Sequence, residues 1–364
     1  MADEQDVAAR PKTPTLRRVK RELNQQRSYA QLETNPFSRT CDRVARVKGY
    51  DIARLAGLAK ETVRLALVSL PQLDKKTCLT IERSLVPKKV AHRSGLDDEA
   101  CDRRLFCFKD ERVASSLKWF EEALDEAIRN QKADIVCFNE LAFPADETGP
   151  STAAIDYVRK IATDAGKLII GGSFHDNRTL YNSGQIFFPP NPASDSDDIF
   201  YHKQVSAIGT FEMVSIPCLR STTVVEAFDL RIATLICLDM SDYSAVASLF
   251  QLGADVDVLL VPSYSLWMED PLEKIAIDVS SAMPGVVAIV NCYNPSGPSS
   301  VVYKFGKKQP ERLLPRVPLA SGTPAVVSTY DIDLSTFRNE RGRRKPKRAD
   351  RLKSLFGLYV AKQR

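Results

Sequence analysis

The sequence predicts an α/β fold, and three observations predict it. Short apolar runs recur along most of the chain, bounded by Pro, Gly or polar clusters. Between several of them lie segments whose apolar residues return every three or four positions. The final runs follow one another with no helical segment between them, as strands of a sheet edge do.

The core begins at Val63 with RLALVSLP, a β-rich run stopped by Pro71. Residues 72–106 are irregular and charged, including KKVAHRSGLDDEACDRR, and are long for a loop, which marks an insertion or a lid-like excursion. Val113, Leu117, Phe120, Leu124 and Ile128 then outline a helix whose intervening positions hold Glu121, Glu122, Asp125 and Glu126. It leads into a strand over Asp134–Phe138. A second helix, Ser151–Ala165, carries Ile155, Val158 and Ile161 and precedes the strand KLIIGGSF. YNSGQIFF is a further strand, ended by Pro189 and Pro190, and the loop NPASDSDD leads into IFYHK. After LRIATLICLD (230–239) come a helix over Ser244–Leu252, Gly253 as its stop, and the strand VDVLLVPS. Helix Leu272–Met283, strand VVAIVNCYN and the runs SSVVYKFG and AVVSTYDIDL complete the core. No internal repeat is evident. Upstream, RRVKRELNQQRSYAQLE and YDIARLAGLAKE read as short polar helices of an N-terminal appendage.

Composition narrows the function classes. With 364 residues, 44% of them hydrophobic, the chain can bury a substantial core. No apolar run is long enough to cross a bilayer, and the polar start MADEQDVAARPKTPTLRR has no apolar secretion core, so a cytoplasmic protein with no membrane contact is expected. Eight cysteines form no CxxC pair, and only three histidines accompany them, which disfavours a metal site and points to free thiols. The net charge of +5 conceals an asymmetry. Residues 1–60 carry 13 Lys/Arg against 7 Asp/Glu, and residues 338–364 carry 11 against 2, which leaves the middle acidic. The basic ends are either solvated tails or contacts for a nucleic acid or an acidic protein. The run RGRRKPKRADRLK has no aromatic residue with which to stack a base.

Three apolar runs end on chemically capable side chains: ADIVCFNE on Glu140, DIFYHK on Lys203, and LRIATLIC on Cys237. In α/β sheets the C-terminal ends of strands are where ligands bind. A thiol is mostly protonated at neutral pH, so it needs a carboxylate to take its proton or a cation to favour the thiolate. Glu140 and Lys203 are those types, and Lys203 with the backbone N–H of Leu238 is suited to stabilise an oxyanion. A Cys–His arrangement is the competitor. All three histidines precede Cys237, which excludes papain-like order and leaves His175 and His202. From residue types alone, a catalytic and a purely structural Cys237 both stand.

The ordered segments resemble the nitrilase, or carbon–nitrogen hydrolase, superfamily. ADIVCFNELAFP resembles the segment bearing that family's glutamate base, which assigns the role to Glu140. YHKQVSAIGTFE resembles its lysine segment, with Lys203 stabilising the oxyanion and Glu212 at the place of a second glutamate that positions the lysine. LRIATLICLDMSDYSAVASLFQLGADVDVLLVPSYS resembles the nucleophile segment, which makes Cys237 the nucleophile. TVRLALVSLPQ, AIVNCYNPSG and VVSTYDIDLSTFRNER are similar to the first strand, a late strand and the closing segment, so the resemblance spans about residues 61–338. Departures are Asn139 for the usual proline, Leu238 for an aromatic residue, DYS at 242–244, and the extra segment 72–106.

The resemblance implies a four-layer α-β-β-α sandwich and frequent homodimers or larger homo-oligomers. It implies hydrolysis of a small-molecule amide, N-carbamoyl compound or nitrile through a cysteine thioester, with no cofactor and no metal. Tyr264 and Trp267 then fall at pocket-lining positions, and Phe143 and His175 are further candidates for the pocket wall. On this reading residues 1–60 are a basic extension, 61–338 the hydrolase domain with 72–106 inserted, and 339–364 a basic tail. The alternative is a nitrilase-like scaffold that binds a nucleic acid or a protein partner through its basic ends.

Overall fold

A computed structural model of the chain describes residues 50–54, 60–71, 78–84, 102–176, 181–188, 199–204, 222–241, 246, 249, 256–265, 272–282, 285–294, 299–304, 311, 316–319 and 322–335. Expectations for 1–49, Glu212, Trp267, most of the 244–252 helix and 336–364 lie outside them.

Two mixed sheets form the body. The strands of the first, in spatial order, are β10 (Ile199–His202), β9 (Tyr181–Phe187), β8 (Leu168–Asp176), β5 (Ile135–Phe138), β2 (Thr62–Ser69), β17 (Val326–Asp333) and β16 (Arg316–Pro318). Those of the second are β1 (Tyr50–Arg54), β11 (Thr222–Ala227), β12 (Leu230–Thr234), β13 (Val258–Pro262), β14 (Val286–Val290) and β15 (Ser300–Lys304). Two short antiparallel pairs stand apart: β3 (Cys78–Ser84) with β4 (Asp102–Phe108), and β6 (Ala145–Asp146) with β7 (Gly149–Pro150).

Each sheet contains the same run of pairings. β2, β5 and β8 are parallel neighbours followed by antiparallel β9; β12, β13 and β14 are parallel neighbours followed by antiparallel β15. This repeat of topology has no counterpart in the residue pattern.

Strand periodicity decides which side chains meet. Val63, Leu65 and Leu67 of β2, with Ile135 and Cys137 of β5 and Leu168 and Ile170 of β8, pack in one cluster with the second sheet. The alternate residues Ala66, Val68, Val136, Phe138 and Ile169 pack against helices α1 (Asp110–Asp125) and α2 (Thr152–Ala165). Phe120 of α1 stacks on Phe138 at 4.1 Å between ring centroids. Truncating an aromatic anchor of this kind to alanine costs about 3–5 kcal/mol. Helix α3 (Leu272–Ala282) buries Leu272, Ile275, Ala276 and Val279 with the second sheet.

Local chemistry sets the ends of these elements. Ser151 caps α2 by accepting the Ala154 N–H, and Gly166, at φ 64°, closes it in the left-handed conformation. Asp110 and Glu111 complement the N-terminal dipole of α1, which continues as a single wider turn through Asn130.

Two elements differ from the sequence reading. Tyr50–Arg54, expected to be helical, is a strand paired in parallel with β11. An open sheet edge supplies a ladder of hydrogen bonds that outweighs a weak local helical preference. Within 72–106, expected to be irregular, Cys78–Ser84 and Asp102–Phe108 pair in continuous antiparallel register.

At the N-terminal end of β5, Asp134 accepts from Lys60, from Lys167 at 2.9 Å and from the Arg64 N–H at 3.1 Å. Burial alone would raise its carboxyl pKa, but the two ammonium groups and the amide outweigh it and hold the group below its usual range. A depressed carboxyl stabilises the fold fully above its unfolded pKa, near 3.9, and that stability is lost as pH falls through the folded value. Asp134→Asn is therefore expected to cost about 1–3 kcal/mol at pH 7. Urea unfolding across a pH series should show the wild-type and variant curves converging below about pH 4.

Candidate active site

The C-terminal ends of the parallel strands of both sheets meet at one rim. The Glu140 N–H donates to Ser263 O (3.3 Å), joining the ends of β5 and β13. The Tyr293 N–H donates to Leu70 O (2.9 Å), joining the segments after β14 and β2. Ser69 and Ser300 hydroxyls hydrogen-bond across the sheets at 2.9 Å.

Glu140 and Lys203 meet at this rim. Lys203 Nζ donates to Glu140 Oε1 at 2.5 Å, and both side chains are 2% exposed. Taking two charges out of water is costly, and this contact offsets that cost only because each charge has the other. Asn182 Nδ2 donates to the same oxygen at 2.9 Å. The residue came to notice in sequence only as part of the strand YNSGQIFF. Its signal is its register on β9: Asn182, Gly184 and Ile186 share a face, and that face looks toward the second sheet.

The Lys203 strand needs room that glycine provides. Tyr201, two residues before Lys203 and on the same face, is fully buried and donates to Gly172 O at 2.6 Å. A Cβ on Gly184 would overlap the Tyr201 ring. Gly172, at φ 80°, lies in the bulge of β8 between Ile170 and Ser173, where a Cβ would stand 2.5 Å from Asn139 O. The pair Gly171–Gly172 thus shapes the strand beside Glu140. The bulge also turns Ser173 to bind the segment after Glu140, accepting the Leu141 N–H (3.1 Å) on its hydroxyl and the Phe143 N–H (3.3 Å) on its carbonyl.

Asn139, where the resembling family has proline, has three bonds of its own. Its N–H donates to Val68 O (3.2 Å), its Oδ1 accepts the Leu70 N–H (2.8 Å), and its Nδ2 donates to Glu140 O (2.9 Å). Proline has no N–H for the first and no amide for the others.

Cys237 does not end strand β12, which stops at Thr234; it opens a short 3₁₀ turn, Cys237–Ser241. The residue is buried and sits at φ 50°, the left-handed region that costs a non-glycine residue roughly 1–2 kcal/mol. Asp239, fully buried, fastens the turn: Oδ2 accepts the Ile236 N–H (3.2 Å) and Oδ1 accepts the Gln204 N–H (2.7 Å). The second bond crosses to the residue after Lys203, so the lysine segment and the cysteine turn are held together through one carboxylate. Leu238, the next residue of the turn, is half-buried.

The other candidates are distributed around this centre. Tyr264 follows Ser263 and is half-buried with Phe106, Phe108, Val113 and Leu141. His175 is buried, with Nδ1 accepting the Phe106 N–H at 2.9 Å and its ring 5.6 Å from that of Phe106. It thereby fastens β4 to β8. Phe143 points into the helix-side core with Phe120, Phe174 and Phe187, so its ring packs α1 and α2 rather than a pocket wall. Cys292, just beyond β14, is another buried thiol, its pKa pushed up to about 11, mainly by burial and further by the Glu140 charge. Among the described residues no group of three or more His, Cys, Asp or Glu is arranged to hold a metal, and no helix is long and apolar enough to cross a membrane.

No family model matches the chain, and no curated protein matches it in sequence. Solved structures do match. A CN-hydrolase superfamily protein of Xanthomonas campestris, with an arsenic adduct in its active site, is 17% identical over 80% of this chain and 97% of its own, with a TM-score of 0.53. Nit3 of Saccharomyces cerevisiae, from branch 10 of the nitrilase superfamily, is 13% identical over 80% and 97%, with a TM-score of 0.49. A Cys-to-Ala form of a Nesterenkonia amidase of the same superfamily is 15% identical over 79% and 98%, with a TM-score of 0.47. The likeness to the Xanthomonas protein runs over nearly all of that protein's length, and the fold of this chain is that of the nitrilase superfamily.

Proposed function

We propose that the chain is a hydrolase of non-peptide C–N bonds, acting through a thioester on Cys237. The observation that carries the reading is the buried Lys203–Glu140 pair, tied through Gln204 and Asp239 to the strained turn that presents Cys237. A buried carboxylate and ammonium, tied through Gln204 and Asp239 to the turn that bears a thiol, are the residue types that supply the base, the electrophile and the nucleophile of acyl transfer.

In the proposed sequence Glu140 takes the Cys237 proton as the sulfur attacks the carbonyl carbon of an amide or N-carbamoyl group. The oxyanion develops beside the Lys203 ammonium and the Leu238 N–H. Collapse breaks the C–N bond, and the Glu140 carboxyl returns its proton to the departing ammonia or amine. Water, deprotonated by Glu140, attacks the thioester and releases the acid, which restores the thiol. Asn182 shares Glu140 Oε1 with Lys203 and orients the carboxylate. Glu212 is assigned the role of positioning Lys203, by the resemblance of its segment.

Cys237→Ala is expected to abolish ammonia release while unfolding as cooperatively as the wild type. Intact-mass analysis should find the acyl adduct on the parent and not on the variant. Full turnover by Cys237→Ala would remove the mechanism.

Lys203→Met strands a buried carboxylate, so it should cost about 3–5 kcal/mol in chemical denaturation as well as activity. Adding Glu140→Gln removes the stranded charge. The double variant should recover part of that stability and none of the turnover.

A further inference from the structure

The β3–β4 hairpin reaches the catalytic rim from outside both sheets. Its second strand ends at Phe106–Phe108, beside three segments that carry or adjoin the chemistry. Phe106 is fastened by its main chain to His175 of β8. Phe108 packs with Leu141, the residue after Glu140, and Leu141 is held at φ 56°. Tyr264 joins the same small cluster from the second sheet, and it follows Ser263, whose carbonyl accepts the Glu140 N–H. The cluster is separate from both main cores and lies at the rim rather than between layers. Phe106 and Tyr264 remain only half-buried in it, whereas Phe108 and Leu141 are buried.

We propose that this hairpin is the wall that sets substrate choice, with Phe106 and Tyr264 as the apolar surfaces against which the acyl portion of the substrate lies. The proposal rests on the hydrolase reading for the identity of the reacting group. It adds a substrate class: amides whose acyl side is an apolar chain or ring. The surface that Phe106, Phe108, Val113, Leu141 and Tyr264 offer is apolar, which favours an apolar acyl group over a charged one. Leu141 joins the wall to the base through one peptide bond.

The test uses the full chain carrying Cys237→Ala, titrated with acetamide, propionamide, butyramide, valeramide and hexanamide by calorimetry. Each methylene that reaches the wall should tighten binding by about fourfold. Phe106→Ala and Tyr264→Ala should each flatten that dependence, and Phe106→Leu should retain more of it than Phe106→Ala. Unfolding midpoints confirm that the variants compared are folded, and Tyr264, on a loop, provides the arm least exposed to misfolding. Affinity independent of chain length, or a slope unchanged in both alanine variants, overturns the wall. Turnover is read separately on the chain with Cys237 intact. Chain-length-dependent binding with no ammonia release from any of the amides keeps the wall and removes the hydrolase reading, whereas ammonia release with a flat binding series does the reverse.

Discussion

The ion pair between Lys203 and Glu140 is the contact on which the rest of the site depends. Two charges, each almost wholly withdrawn from water, are tolerable only together, and only if the segments that bring them cannot drift. The surrounding architecture meets that condition from several directions. Asn182 holds the shared carboxylate oxygen, Asn139 holds the main chain below it, and Tyr201 sets the height of the lysine strand against Gly172. Each of these is a neutral hydrogen-bonding group that adds no further charge to the interior.

The two sheets then contribute unlike parts. The acid and the amine come from the first sheet and its margin, and the thiol from a turn after the first parallel strand of the second. Asp239 spans the gap with its carboxylate, whose Oδ1 accepts the Gln204 main-chain N–H, so the segments that carry the amine and the thiol are tied together through one buried side chain. A buried carboxylate accepting amide donors is a strong and directional tether.

Much of the fold was legible because burial leaves a periodic trace. β2, β5, β8, β9, β13, β14 and β17 and helices α1, α2 and α3 coincide with runs that period two or 3.6 identifies. Glu140, Lys203 and Cys237 were visible because each closes such a run. Asn182, Tyr201 and the bulge glycines were not, since their roles come from register across strands, and register is a pairing property with no local signature. The edge strand Tyr50–Arg54 escaped for the same reason: its partner lies far along the chain. Phe143, a candidate for the pocket wall in sequence, packs in the helix-side core, a placement that depends on helices far from it in the chain. The repeated order of pairings in the two sheets left no mark in residue spacing, because it is a relation between strands.

The turn at Cys237 has a consequence for which side chains the position can accept. At φ 50° the main chain is wound against the preference of any residue with a Cβ, and a second heavy atom on that carbon makes the conformation far less accessible. Serine has the same unbranched shape as cysteine and fits the turn. Threonine, though chemically a nucleophile, is branched at the carbon that is crowded there. The backbone therefore discriminates among hydroxyl and thiol side chains before any reactivity is considered, and the geometry of a single torsion restricts the chemistry this site can adopt.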